Sequence, residues 1–163
     1  MGSGKTTIGR QLAKQLGLSF IDQDTMIEEK VHLTVSKIFA TQGEEFFRQT
    51  ERAVLEELSK RENIVVATGG GAPCFEGNID LMNNAGITIY LKTSPKVLAA
   101  RLKNAHSTRP LIAGKSEPEI LAYINTKLTE REPYYQKARL SIDADSLSPD
   151  DIIRILKEMK YYW

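Results

Sequence analysis

The sequence predicts an α/β domain of three layers, α/β/α, around a parallel sheet. Three observations carry this. Short β-branched runs such as "NIVVAT" and "ITIYL" alternate with stretches of helical periodicity. A glycine-rich turn, "GSGKTT", opens directly onto an amphipathic helical pattern, and a second glycine run, "TGGGA", follows a strand. At 163 residues the chain is expected to form one domain, residues 1–163, large enough to bury a substantial core.

The elements follow in order. Ile8, Leu12 and Leu16 recur at helical spacing after the first glycine turn, and Gly17 stops that helix. "LSFID" reads as a short buried strand. The stretch "EKVHLTVSKIFATQGEE" reads as small helices inserted before a long helix from Gly43 to Arg61, whose apolar face is assigned to Phe46, Phe47, Ala53, Val54 and Leu58. "NIVVAT" is the next strand and "ITIYL" another, followed by a helix from Ser94 to about Lys103. "LSIDA" is the last strand, before a helix carrying Ile152, Ile155, Leu156 and Met159. The polar segment "KNAHSTRPLIAGKSEPE" breaks the rhythm, as lids do in α/β domains. A helical substrate-binding insert is therefore expected at about residues 25–60 and a lid at about 104–118.

Composition narrows the function classes. Apolar residues make up 41% and charged residues 26%, ordinary for a globular chain, and the net charge of +1 supplies no field for nucleic acid or an anionic membrane. Neither partner is expected, and any bound anion must be met by locally clustered cations. The single cysteine, Cys74, excludes an intramolecular disulfide and fits a reducing cytoplasm. No apolar run is long enough to span a bilayer, and Lys5 and Arg10 interrupt any signal-peptide pattern. His32, His106 and Cys74 lack metal-ligand spacing.

Four groups of residues point to chemistry. "GSGKTT" is the second half of a phosphate-binding P-loop: backbone N–H groups of Gly2, Ser3, Gly4 and Thr7 can wrap phosphates, Lys5 brings a point charge, and the Thr6 hydroxyl is placed for Mg²⁺. "FIDQD" ends a strand with carboxylates at alternate positions. If the strand stays regular, Asp22 and Asp24 point the same way, one able to hold Mg²⁺ through water and the other to accept a hydroxyl proton or hydrogen bond. In "TGGGA", Gly70 and its neighbours permit a close ligand approach that side chains would block. Three separated arginines, Arg48, Arg109 and Arg131, can grip carboxylate or phosphate oxygens, and Glu51, one turn from Arg48, can orient it. Taken singly, each has a plainer account: a glycine-rich helix N-terminus, a strand-end helix cap, a flexible loop, a surface charge.

In combination they resemble one family, shikimate kinase, of the nucleoside-monophosphate-kinase-like branch of P-loop proteins. "GSGKT", "DQD", "FRQTE", "GGGA", "RPL" and "REPYY" stand in the family's order across essentially the whole chain. The resemblance implies a P-loop kinase fold and in-line transfer of the ATP γ-phosphoryl group to the 3-hydroxyl of shikimate, a step of aromatic amino-acid biosynthesis. It implies that Lys5 and the loop amides hold ATP and that Thr6 and Asp22 position Mg²⁺. Asp24, Arg48, Gly70 and Arg131 would bind shikimate, and Arg109 would reach the ATP phosphates from the lid. Lys5, Asp24 and Arg109 are thereby the catalytic set, and Arg101 flanks the adenine. The expected enzyme is a cytoplasmic monomer with ATP and shikimate as its partners. Two alternatives stay open: a protein of this fold that binds nucleotide without turnover, and a kinase for another small metabolite such as gluconate.

The half-motif carries one more expectation. A P-loop's first glycine and the strand that feeds it precede the sequence "GSGKT", so the native protein is expected to begin about ten residues before Met1, with an apolar strand ending in glycine.

Overall fold

The computed structural model describes residues 2–104 and 115–158. Helix α1 (Lys5–Leu16) leads to strand β1 (Ser19–Asp22), then to α2 (Gln23–Val31), α3 (Val35–Thr41) and α4 (Gly43–Leu58). Strand β2 (Ile64–Ala67) is followed by a 3₁₀ turn at Ala72–Cys74 and by α5 (Asn78–Ala85). Strand β3 (Ile89–Lys92), α6 (Pro95–Asn104), α7 (Glu117–Tyr135), β4 (Leu140–Asp143) and α8 (Pro149–Glu158) complete the order.

The strands form two parallel pairs. β1 lies beside β2 with Ser19 opposite Ile64, and β3 lies beside β4 with Ile89 opposite Leu140. Parallel pairing requires crossover connections, which the intervening helices provide. The side-chain alternation of the strands separates two helical layers. On one face Val65, Ile89 and Leu91 pack with Ile8 and Leu12 of α1 and with Ile152, Ile153 and Leu156 of α8. On the other, Ile21, Ile64 and Val66 pack against Ile27 of α2, Ile38 of α3 and Phe47, Val54 and Leu58 of α4. A third cluster joins α6 to α7 through Leu98, Leu102, Ile120 and Ile124. Complete burial of one such side chain is worth about 1.5–3 kcal/mol, so these clusters hold the layers together.

The α/β fold class with parallel strands holds, with the strands of the described residues hydrogen-bonded as two two-stranded pairs. Several expectations are corrected. The buried face of α4 is Phe47, Glu51, Val54, Leu55 and Leu58, the stripe that meets the strands; Phe46 and Ala53 lie off that stripe and are exposed. In α8, Ile153 is fully buried and Ile155 only partly so. Helices α5 and α7 were not foreseen. Gly17 does close α1, with φ 70° and its N–H on the carbonyls of Ala13 and Lys14. Most of the expected lid, Arg109 within it, and Met159 lie outside the described residues.

Candidate active site

The site gathers where β1 and β2 end and α1 begins. α1 starts after Gly4, whose φ of 90° suits glycine, and neither a side-chain cap nor an acidic residue occupies its first turn. A first turn of this kind presents N–H groups and the positive end of the helix dipole to an anion. Arg101 of α6 meets this loop, its Nη1 donating to the Gly2 carbonyl at 3.4 Å.

Asp22 and Asp24 do not share a strand face. β1 ends at Asp22, whose Oδ1 accepts from the backbone N–H of Asp24 (3.1 Å) and Thr25 (3.4 Å) and so caps α2. Its other oxygen, Oδ2, accepts from Thr6 Oγ1 at 3.1 Å. Asp22 thereby ties the start of α1 to the start of α2, while Asp24 projects from the first turn of α2. The hydroxyl of Thr6 and the carboxylate of Asp22 form a hard-oxygen pair of the kind Mg²⁺ takes alongside phosphate oxygens and water.

The glycine run meets Asp24 from the other side. A Cβ placed on Gly69 would stand 3.0 Å from both Asp24 Oδ1 and Glu51 Oε1, and one on Gly71 would stand 3.0 Å from Arg48 Nη1. Only glycine lets the loop pass this close to three charged groups. The loop is held in place by two polar side chains: Gln23 Oε1 accepts from the Gly69 N–H at 3.1 Å, and the Tyr135 hydroxyl donates to the Gly70 carbonyl.

Arg48 is fixed before any ligand arrives. Its Nη1 donates to Glu51 Oε2 at 2.8 Å, its Nη2 donates to Glu44 Oε1 at 3.1 Å, and its guanidinium carbon lies 3.9 Å from the centre of the Phe75 ring. Glu51 is only 1% exposed, and among the described residues its Oε1 has no hydrogen-bond partner. Burial pushes the Glu51 carboxyl above its ordinary range, against the pull of Arg48. Asp24 is raised as well, first by burial and then by the charge of Asp22, with Lys5 and Arg48 drawing it down. Arg131, on α7, is near enough for its charge to act on Glu51, Cys74 and Tyr135.

The predicted residues Lys5, Asp24, Arg48, Gly70 and Arg131 are thus brought together, with Thr6 and Asp22 at the loop end. Sequence reasoning missed Gln23, Phe75 and Tyr135 and assigned Glu51 only to orienting Arg48. The signal for Glu51 was its i, i+3 spacing from Arg48; nothing in the sequence marked its burial.

The shikimate kinase family model matches residues 1–160. A curated protein named shikimate kinase from Parabacteroides distasonis is 49% identical over 147 residues, which is 90% of this chain and 85% of that protein. The crystal structure of shikimate kinase from Bacteroides thetaiotaomicron superposes with a TM-score of 0.93 at 41% identity, covering 98% of this chain and 93% of that one. Shikimate kinase from Acinetobacter baumannii in complex with shikimate gives a TM-score of 0.87 at 34% identity, covering 99% of this chain and 89% of that one.

Proposed function

The chain belongs to the shikimate kinase family, and from that membership we propose how its own residues divide the work. The reaction is transfer of the γ-phosphoryl group of ATP to the 3-hydroxyl of shikimate, giving shikimate 3-phosphate and ADP. In such a transfer the transition state is loose, so the protein contributes alignment and charge more than covalent chemistry.

Lys5 and the N–H groups at the start of α1 receive the β- and γ-phosphates. Thr6 and Asp22 hold Mg²⁺, which neutralises phosphate charge when bound. Asp24, between the loop and the glycine run, accepts a hydrogen bond from the attacking hydroxyl and orients it. Its raised pKa also makes it a better proton acceptor than an ordinary aspartate, a role that falls late in a loose transfer. Arg48 and Arg131 grip the shikimate carboxylate, and the partnerless Oε1 of Glu51 accepts from a second ring hydroxyl. The close pass of Gly69 to Asp24 and Glu51 sets the glycine run's backbone beside both carboxylates, where it can meet the acceptor with them. Arg109, from the lid, adds a cation to the transferring group.

The observation that carries this assignment is the convergence of Asp24, Glu51 and Arg48 on the glycine run. The coarse architecture supports α2, α3 and α4 as the acceptor-binding insert. We place the enzyme in the cytoplasm, whose reducing conditions fit a chain with a single cysteine, Cys74. A coupled assay of ADP release with ATP and Mg²⁺ tests the assignment, with gluconate and quinate as comparison acceptors. Shikimate should be preferred by at least about tenfold, a discrimination worth about 1.4 kcal/mol. Equal turnover of gluconate would overturn the acceptor assignment.

A further inference from the structure

Tyr135 meets two of the groups assigned to the acceptor. It follows Arg131 by one helical turn on α7, so the two side chains share a face of the helix. Its hydroxyl donates to the Gly70 carbonyl. The guanidinium of Arg131 reaches the same phenol, acting on it by its charge and by hydrogen bonding. Burial outweighs that pull and raises the phenol above its ordinary range, so the hydroxyl stays protonated and remains a donor. The adjacent Tyr134, by contrast, turns outward and is exposed.

The contact fixes more than one atom. The Gly70 carbonyl and the Gly71 N–H belong to one planar trans peptide, so holding the carbonyl toward α7 turns that N–H away from it. The rest of the run is tied from other directions. Gly69 gives its N–H to Gln23 of α2, and its carbonyl accepts from the Ala72 N–H. The Ala72 carbonyl accepts from Asn78, a fully buried side chain that Arg52 of α4 holds in turn. Between these ties, glycine has no side chain to limit the rotation of its own peptide, and the Tyr135 hydroxyl supplies the limit. The phenol itself has a firm base. Its ring lies 5.0 Å from that of Tyr90 on β3, and the Tyr90 hydroxyl donates to Glu132 Oε2 at 2.8 Å, which holds α7 against the strand.

We propose that Tyr135 is a positioning residue of the acceptor end: its hydroxyl keeps the Gly70–Gly71 peptide and the Arg131 guanidinium in register, so that backbone and cation meet one ligand together. This rests on the acceptor assignment made above and adds to it a residue that acts through Gly70 and Arg131.

The test uses three single variants and one double variant in the ADP-release assay, with thermal unfolding measured alongside. Tyr135→Phe removes only the hydroxyl and keeps the ring against Tyr90. It should raise the KM for shikimate by about 3–10-fold and leave kcat and the KM for ATP within about twofold. Its preference for shikimate over the uncharged carboxamide should shrink as well, because a guanidinium out of register grips a carboxylate less well. Tyr90→Phe removes the other hydroxyl of the ring pair. It should lose at least as much thermal stability, yet keep the parent's KM and preference. In an Arg131→Ala background, Tyr135→Phe should have a smaller effect than it has alone, since part of its influence passes through Arg131. If Arg131→Ala raises the KM for shikimate and Tyr135→Phe changes neither KM nor preference, the inference is overturned and the acceptor assignment stands. Equal kinetic losses in Tyr90→Phe and Tyr135→Phe would also overturn it, since packing alone would then account for both. An Arg131→Ala enzyme with the parent's KM would overturn the inference and the acceptor assignment together.

Discussion

At the end of the site proposed for the nucleotide, the loop from Gly2 to Thr7 has left-handed conformations at Gly2 and Gly4 and no side-chain cap, and its links to its neighbours include Thr6 to Asp22 and Arg101 to the Gly2 carbonyl. At the acceptor end, Arg48 is already held by Glu44, Glu51 and the Phe75 ring, while Gln23 and Tyr135 pin the glycine run. The first end works through backbone groups that any triphosphate can use. The second works through charged side chains that hold one another. A change at the nucleotide end should therefore remove one contact, whereas a change at the acceptor end should also misplace its neighbours. On the proposed assignment, selectivity belongs to the acceptor end.

The largest expected effect lies at the nucleotide end and sets the scale. Lys5→Ala removes the loop's point charge and should lower phosphoryl transfer by about 10³-fold, with the far-ultraviolet circular dichroism unchanged. Comparable activity in the coupled assay would mean that backbone groups suffice there.

Asp24→Asn comes next and reads the boundary between the two ends. Turnover should fall by about 10²–10³-fold while ATP affinity, measured by calorimetry, stays the same. The variant should also gain stability. Because the folded protein holds the Asp24 proton more tightly than the unfolded chain does, stability is lost as pH rises from the ordinary value of 3.8 through the raised folded value. Asparagine escapes that loss, so its melting temperature should exceed the parent's at pH 7, with the gap closing on acidification below the ordinary carboxylate range. A gap that widens in acid would reverse the assigned shift.

Arg48→Ala and Arg131→Ala sharpen the contrast. Each should raise the KM for shikimate by about 10–100-fold and leave the KM for ATP within about twofold, since a hydrogen bond to a charged group is worth about 1.5–3 kcal/mol. Lysine should restore little, because it cannot reproduce a forked contact. The smallest effect is expected of Glu51→Gln, which keeps the shape but weakens the hold on Arg48. A neutral partner in place of a charged one weakens a hydrogen bond by about 1 kcal/mol, so the KM for shikimate should rise by about 3–10-fold with ATP again unaffected. A larger loss for ATP than for shikimate in any of these variants would erase the distinction between the ends.

The sequence made much of this legible and hid the rest for identifiable reasons. α1 and the strands from Ile64, Ile89 and Leu140 were readable because glycine punctuation and β-branched runs are local signals. α7 was hidden by Pro133 and by a buried face limited to Ile120 and Ile124; the readable clue was the capping box of Ser116 and Glu119. Asp22 and Asp24 were assigned to one strand face because alternation was carried one residue too far, past the point where Asp22 turns to cap α2. Glu51 looked like an exposed partner on a charged helix. Its burial is decided by how α4 rolls against β2, which is a tertiary fact. Gln23 likewise carries no motif, although it bridges the Gly69 N–H and the Glu51 carbonyl from a fully buried position.

The central claim is that the acceptor end recognises a carboxylate through Arg48 and Arg131, independently of the nucleotide end. It is tested most directly by comparing shikimate with its uncharged carboxamide in the ADP-release assay, using the parent enzyme and the variant with both arginines replaced by alanine. The parent should prefer shikimate in kcat/KM by at least about tenfold, and the double variant should treat the two acceptors alike, with ATP binding unchanged in both. A parent enzyme indifferent to the charge, or a double variant that keeps the full preference, would contradict the account.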